Sequence, residues 1–288
     1  MSIVTRTLGN RPAQPNASRE RERAVSSRVD LHVKLLDARV VARAKARGID
    51  VLVYAPHFCD LPTIRARARR CSDAELLVVP ARELFTGGWR ERVHVLAIDP
   101  PAPIPDFCEL DAVMAELAAQ DVATLVPHPE FATVSFDAPT IDRYADQLHG
   151  LEVYNPKHRA RHNRNAAALV ETTGLAPFAS SYAHRLATIG EVWTTFERTI
   201  DSADALSAAL VEGAERQIEH RTGAVHRLRC ELEFGHLAWE NSWQKAKRVV
   251  GSGVAATHPT SAVYEGRFDA VAAYRAGPDG EQAIARSE

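Results

Sequence analysis

Short apolar runs that alternate with helical stretches constrain this chain more than any other feature. Val51 to Ala55 is one such run, bounded by Pro56 and of the length of a buried parallel strand. Val29 to Val33, Leu76 to Glu83, His94 to Ile98, Ala123 to Pro127, Leu151 to Tyr154 and Pro177 to Ser181 are further strand candidates. Between them, Leu35 to Arg47, Leu110 to Gln120, Ile141 to Leu148, Ala166 to Thr173 and Ser202 to Glu212 are helical in composition. Gly48 and Gly174 supply stop signals, and Asp201 or Ser202 an N-cap. About seven strands alternating with helices predict a parallel α/β architecture, either a barrel or a doubly wound sheet. No strand is expected after Leu206, and Arg227 to Val250 reads as one long helix with Trp239 and Trp243 on one face.

Composition narrows the function classes. Hydrophobic residues make up 45% and charged residues 25% of 288 residues, an ordinary globular balance. The net charge of -2 offers no global field to attract nucleic acid or a membrane surface. Four cysteines without a CxxC pair argue against a disulfide framework or zinc ribbon and for a reducing, cytoplasmic setting. The opening residues lack an apolar signal-peptide core, so no secretory signal is expected. No stretch approaches the ~20 apolar residues of a membrane span.

The chemistry is suggested by the histidines, of which there are twelve. His32, His57, His128 and His184 fall at the C-terminal ends of predicted strands, and Glu83 ends another. In α/β barrels that face is where active sites are assembled, so strand ends far apart in sequence converge there. Imidazoles with a carboxylate suit a zinc-like or iron-like ion. His149, His220, His226, His236 and His258 lack this placement and are expected at the surface or in helix packing. Cys59, two residues beyond His57, reads as a small buried apolar residue in preference to a ligand or nucleophile.

The motifs occur in a telling order. Asp30-Leu31-His32-Val33-Lys34 is followed by Val53-Tyr54-Ala55-Pro56-His57, Val79-Pro80-Ala81-Arg82-Glu83 and His94-Val95-Leu96. Then come Leu125-Val126-Pro127-His128, Glu152-Val153-Tyr154-Asn155 and Ser181-Tyr182-Ala183-His184. From Asp30 to Glu197 the chain resembles the polymerase-and-histidinol-phosphatase (PHP) family of metal-dependent phosphoesterases. The resemblance implies a distorted seven-stranded TIM-like β/α barrel with up to three divalent metals at its strand C-termini. The expected segments are a disordered lead-in over 1–27, the barrel over 28–212, a helical extension over 213–272 and a flexible tail over 273–288.

Several of the family's ligands are substituted. Lys34 stands where the opening His-x-His has its second histidine, Pro56 precedes His57 in place of Asp, and Tyr182 replaces the Asp of the last motif. The resemblance therefore implies that His32 and Glu83 alone remain of the first metal position. His57 and His184 remain of the third, with Asp37 as a stand-in. The second is complete as Glu83, His94 and His128. Two histidines and one carboxylate leave coordination positions open for water and substrate. A reduced site with one secure ion, and at most a second, is expected to hold zinc, manganese or iron. His32, Lys34, His57 and His184 are the candidate catalytic residues. Asn155, Lys157, Arg159 and Arg185 are candidates for holding an anionic substrate, and Arg82 is a weaker one. The expected activity is hydrolysis of a phosphate mono- or diester on a small phosphorylated substrate. The rival expectation is a degenerate barrel that binds a metal or anion and regulates. Nucleic acid is a less favoured partner, no membrane partner is expected, and the sequence does not set the oligomeric state.

Overall fold

The computed structural model describes residues 5–8, 26–88, 92–130, 134–239 and 256–273. The strands are β1 (Thr5–Leu8), β2 (Ser27–Val33), β3 (Val51–Tyr54), β4 (Leu77–Thr86), β5 (Val93–Ile98), β6 (Thr124–Val126), β7 (Gly150–Tyr154), β8 (Pro177–Ala179), β9 (Val192–Phe196) and β10 (Arg216–Arg221). The helices among the described residues are α1 (Ala38–Arg47), α2 (Leu61–Cys71), α3 (Leu110–Ala119), α4 (Ala138–Arg143), α5 (Ala160–Thr173), α6 (Ala203–Val211) and α7 (Ala224–Trp239). One ten-stranded sheet takes the order β1-β10-β9-β2-β3-β4-β5-β6-β7-β8.

The sheet curls until β8 meets β9. The Thr194 hydroxyl donates to the Ala179 carbonyl at 2.9 Å and accepts from the Ala179 N–H at 2.9 Å, so one side chain stands in for a ladder. Beyond β8, Lys34 N donates to the Ala183 carbonyl at 2.9 Å and Ser181 N to Asp30 Oδ1 at 2.9 Å. These bonds tie the chain after β8 to β2 and leave a nearly closed α/β barrel, as the resemblance implied.

The pairing is not uniformly parallel, which corrects the sequence expectation. β5 runs antiparallel to β4 and β6, and β9 runs antiparallel to β2 and β10. Strands also continue past Leu206: β10 lies within the segment expected to be helical, and β1 pairs with it from within the segment expected to be a lead-in. β10 escaped notice because Arg-Gln-Ile-Glu-His-Arg has no apolar alternation, as suits a strand near a sheet edge. α5 starts at Ala160, ahead of the expected Ala166, and α2 was not anticipated. α7 is described to Trp239; Trp243 lies outside the described residues.

Local signals explain the helix ends. Asp37 accepts from Arg39 N at 2.8 Å and Val40 N at 2.9 Å and so caps α1, while Gly48 ends it at φ 72°. Asp60 caps α2 and Ser202 caps α6. Side-chain parity then builds the layers. Val29, Leu31, Val51, Val53, Val79, Ala81, Leu96, Leu125, Phe178 and Phe196 form one cluster with Leu206 and Leu210 of α6, which plugs the N-terminal end of the barrel. Leu52, Tyr54 and Val78 face the other way, onto Val40 and Ala44 of α1 and Ile64 and Ala68 of α2. Full burial of a side chain such as Leu31 or Phe178 contributes about 1.5–3 kcal/mol. With its N-terminal end filled by carbon, the barrel has its polar interior at the opposite end.

Candidate metal centre

The same parity that points Val79 and Ala81 inward points Glu83 inward, two residues further along β4. Three departures from regular strand geometry bring histidines to it. β5 is antiparallel, so His94 at its beginning lies beside Phe85 at the mouth end of β4. A register shift between Asp30 and Val33 interrupts alternation in β2 around His32. His128 sits just past β6 with φ +36°, the left-handed region that a residue with a Cβ rarely adopts.

Glu83 Oε1 lies 3.0 Å from His94 Nδ1 and 3.0 Å from His128 Nε2, and these two nitrogens are 3.4 Å apart. Ligands about 2.1 Å from a tetrahedral ion lie roughly 3.4 Å from one another, so the spacing fits a metal. Among the described residues this is the one group whose ligand atoms converge in this way. Behind His128, Nδ1 lies 3.2 Å from Ser135 Oγ, which donates to the His128 carbonyl at 2.5 Å. That bond sets the ring so that Nε2 faces the centre.

The other oxygen, Oε2, meets a different set. The Lys34 ammonium bonds it directly and also donates to the Ala55 carbonyl at 2.6 Å. His57 Nδ1 is 3.0 Å away and His32 Nε2 3.7 Å away. Neither ring nitrogen of buried His32 has a hydrogen-bond partner among the described residues, a state that suits a ligand better than a structural histidine. Burial, reinforced by Lys34, pushes His32 down to about 3, so it is neutral. Burial alone would raise Glu83, but Lys34, His57, His94 and His32 outweigh it and hold the carboxyl well below its usual range.

Residues 160–214 match a family model described as PHP-associated. No curated protein matches the chain. PsfC from Pseudomonas syringae PB-5123 is 20% identical with a TM-score of 0.54, over 74% of this chain and 99% of that one. The lesion-specific endonuclease PfuEndoQ from Pyrococcus furiosus is 13% identical with a TM-score of 0.49, over 67% of this chain and 57% of that one. Over residues 160–214, then, the chain is similar to a PHP-associated domain, and its barrel has the fold of PsfC.

The departures from the PHP motifs are concentrated on one wall of the barrel. Tyr182, at φ +42°, inserts its ring between His32, His128 and His184, with centroid distances of 4.6, 5.1 and 4.9 Å. It fills the space where the family's last carboxylate is expected. The Lys157 ammonium lies 4.0 Å from the Tyr182 ring centroid and 3.8 Å from Glu233 Oε1 of α7. Glu233 is fully buried and accepts from His184 N at 2.8 Å. α7 therefore reaches across the mouth, a role no sequence signal revealed, since Glu233 is one acid in a polar helix.

The remaining candidates divide. Lys157 is at the site, whereas Asn155 serves as a brace: it donates to Glu152 Oε2 at 2.9 Å and accepts from Lys157 N at 3.0 Å. Glu152, to which its motif assigned no role, also accepts from His128 N at 2.8 Å and from the Ser180 hydroxyl. Burial pushes it up. Arg159 is exposed, stacked over Phe234 at 5.1 Å, and Arg185 reaches toward the Leu232 carbonyl at 3.5 Å. Arg82 points out of the barrel into an ion pair with Asp106 at 2.9 Å and a bond to the Cys59 carbonyl, so it is no anion binder. Asp37 is spent on the α1 cap and is far too exposed to serve as a buried ligand. His226 and His258, expected at the surface or in packing, are buried.

Proposed function

We propose that this PHP barrel is a metal-dependent phosphoesterase that hydrolyses a small phosphorylated substrate at a reduced site. The observation that carries the reading is the convergence of Glu83 Oε1, His94 Nδ1 and His128 Nε2. Those three would hold a divalent ion, which when bound polarises a phosphoryl oxygen and acidifies water. Lys34 and Lys157 supply fixed positive charge for a phosphate dianion. His57, half-buried between Glu83 and His184, is placed to carry a proton between site and mouth. Asn155 and Glu152 hold the Lys157 loop and the His128 backbone, and so position both. Neither charge nor shape favours nucleic acid: the chain has a net charge of -2, and the centre is enclosed.

A second reading is a binding or regulatory barrel. Its observation is the substitution wall: Lys34 on Glu83, Tyr182 in a ligand position and Glu233 across the mouth. One experiment separates the readings. Elemental analysis of the purified protein should find one ion per chain, with phosphatase or phosphodiesterase turnover under added manganese or zinc. Bound metal without turnover on any ester favours regulation, and three tight ions would refute the reduced site. No ion after reconstitution would refute the phosphoesterase and leave of the second reading only a barrel that binds an anion.

A further inference from the structure

A second cluster of reactive side chains, sharing none of the Glu83, His94 and His128 ligands, lies between α7 and the start of β9. Glu191 is fully buried and paired with Arg47 at 3.0 Å and with Arg229. Its Oε2 lies 2.9 Å from His226 Nδ1. Burial would raise Glu191, but His226, Arg47 and Arg229 outweigh it and hold the carboxyl below its ordinary value. An ionised carboxylate only accepts, so Nδ1 carries a proton, and in the neutral ring Nε2 presents its lone pair. That lone pair faces Cys230 Sγ at 3.4 Å, one helical turn along, and the Tyr154 hydroxyl at 3.3 Å. Carboxylate, imidazole and thiol thus stand in the order of a nucleophilic triad. Cys230 is half-buried and borders a cavity of about 430 Å³ lined by Pro156, Lys157, His158, Arg159 and Phe234 as well.

We propose that Cys230 is a nucleophilic thiol, with His226 as its base and Glu191 as the residue that positions that base, and that it takes a small electrophile entering this cavity. In the step, Sγ forms a bond to the electrophilic carbon and the leaving group departs with its electron pair. The thiol proton passes to His226 Nε2, and the resulting imidazolium is stabilised by Glu191. The thiol is not a preformed thiolate, since burial, with Glu191, Glu231 and Glu233 nearby, pushes it up to about 12. The groups facing the pair are Glu191, Arg229, Tyr154, the His220 ring stacked on Tyr154 at 4.4 Å, and Arg47 and Arg221 behind the carboxylate.

The probe is iodoacetamide, with alkylation of each cysteine of the full chain followed by mass spectrometry. Iodide is the leaving group. Cys59 and Cys71 are half-buried comparators without an imidazole at the sulfur among the described residues, and buried Cys108 reports unfolding. Cys230 should react faster than Cys59 and Cys71, with a rate that levels off with rising pH before theirs do. His226→Asn should slow it by about 100-fold. Tyr154→Phe, which removes the competing donor from Nε2, should speed it. Glu191→Gln should slow it and move the level-off to lower pH, because the imidazolium loses its counter-charge. Equal rates at Cys230, Cys59 and Cys71, or an unchanged rate in His226→Asn with Cys108 still protected, would overturn the proposal. If Glu191→Gln exposes Cys108, the His226 and Tyr154 variants decide it.

Discussion

The two oxygens of Glu83 face two differently equipped halves of the barrel mouth. Oε1 meets two imidazole nitrogens at 3.0 Å, one of them braced by Ser135. Oε2 meets an ammonium, with His57 and unbraced His32 around it. On the first side the positive charge can be a metal ion; on the second it is covalently attached to the chain as Lys34. A divalent ion and an ammonium both satisfy a buried carboxylate, but only the ion has open coordination positions. The comparison teaches that one buried carboxylate can be neutralised in two ways: on the Oε2 side Lys34 supplies the charge from within the chain, and on the Oε1 side the histidines leave room for an ion to supply it.

Removing the shared carboxylate is the harshest way to break the comparison. Glu83→Ala should abolish metal binding on the Oε1 side and leave Lys34 buried without its carboxylate on the other. Breaking a buried ion pair by deleting one partner costs about 3–5 kcal/mol. Elemental analysis should read zero ions per chain, and thermal unfolding should show a large drop in Tm. Glu83→Gln, of nearly the same shape, separates loss of charge from loss of packing. Retention of the ion in either variant would show that the ion is held elsewhere.

Giving the Oε2 side the ligands of the PHP motifs is the next largest effect. Lys34→His combined with Tyr182→Asp gives the Oε2 side two more ligands beside His32 and His57. Asp is better suited than Tyr to the left-handed φ of +42° at position 182, so the change does not add backbone strain. Isothermal titration of the metal-free protein should then find a second ion. A single ion in the double variant would mean that the Oε2 side is no longer shaped for a metal even with its ammonium removed.

Legibility of these halves from sequence differed for physical reasons. Glu83, His94 and His128 were readable because each stands next to an apolar run and in the order of the family's motifs. Their convergence depended on things a sequence does not display: the antiparallel run of β5 and the positive φ of His128. Lys34 and Tyr182 were visible as substitutions, but only the fold shows that the ammonium sits on Glu83 and the phenol ring between three histidines. Glu233 and Ser135 were not readable at all, and Glu152 was readable only as part of a motif, without a role. Each is an ordinary polar residue whose role comes from a partner that the fold brings to it. The parallel-barrel expectation failed at β5, β9 and β10, because strand direction leaves no periodic mark in a sequence.

The smallest effect tests why the Oε1 side is better prepared. If the Ser135 hydroxyl fixes the His128 ring, Ser135→Ala should leave the ion bound but weaken it by about tenfold, the lower range for a residue that orients a ligand. That is about 1.4 kcal/mol, and competition with a chelator of known affinity resolves it. The fold should be untouched, because the His128 backbone keeps its bond to Glu152. An unchanged affinity would assign the ring's orientation to the left-handed backbone at His128 alone. The two halves would then differ in the charge that Lys34 brings and not in how firmly their histidines are held.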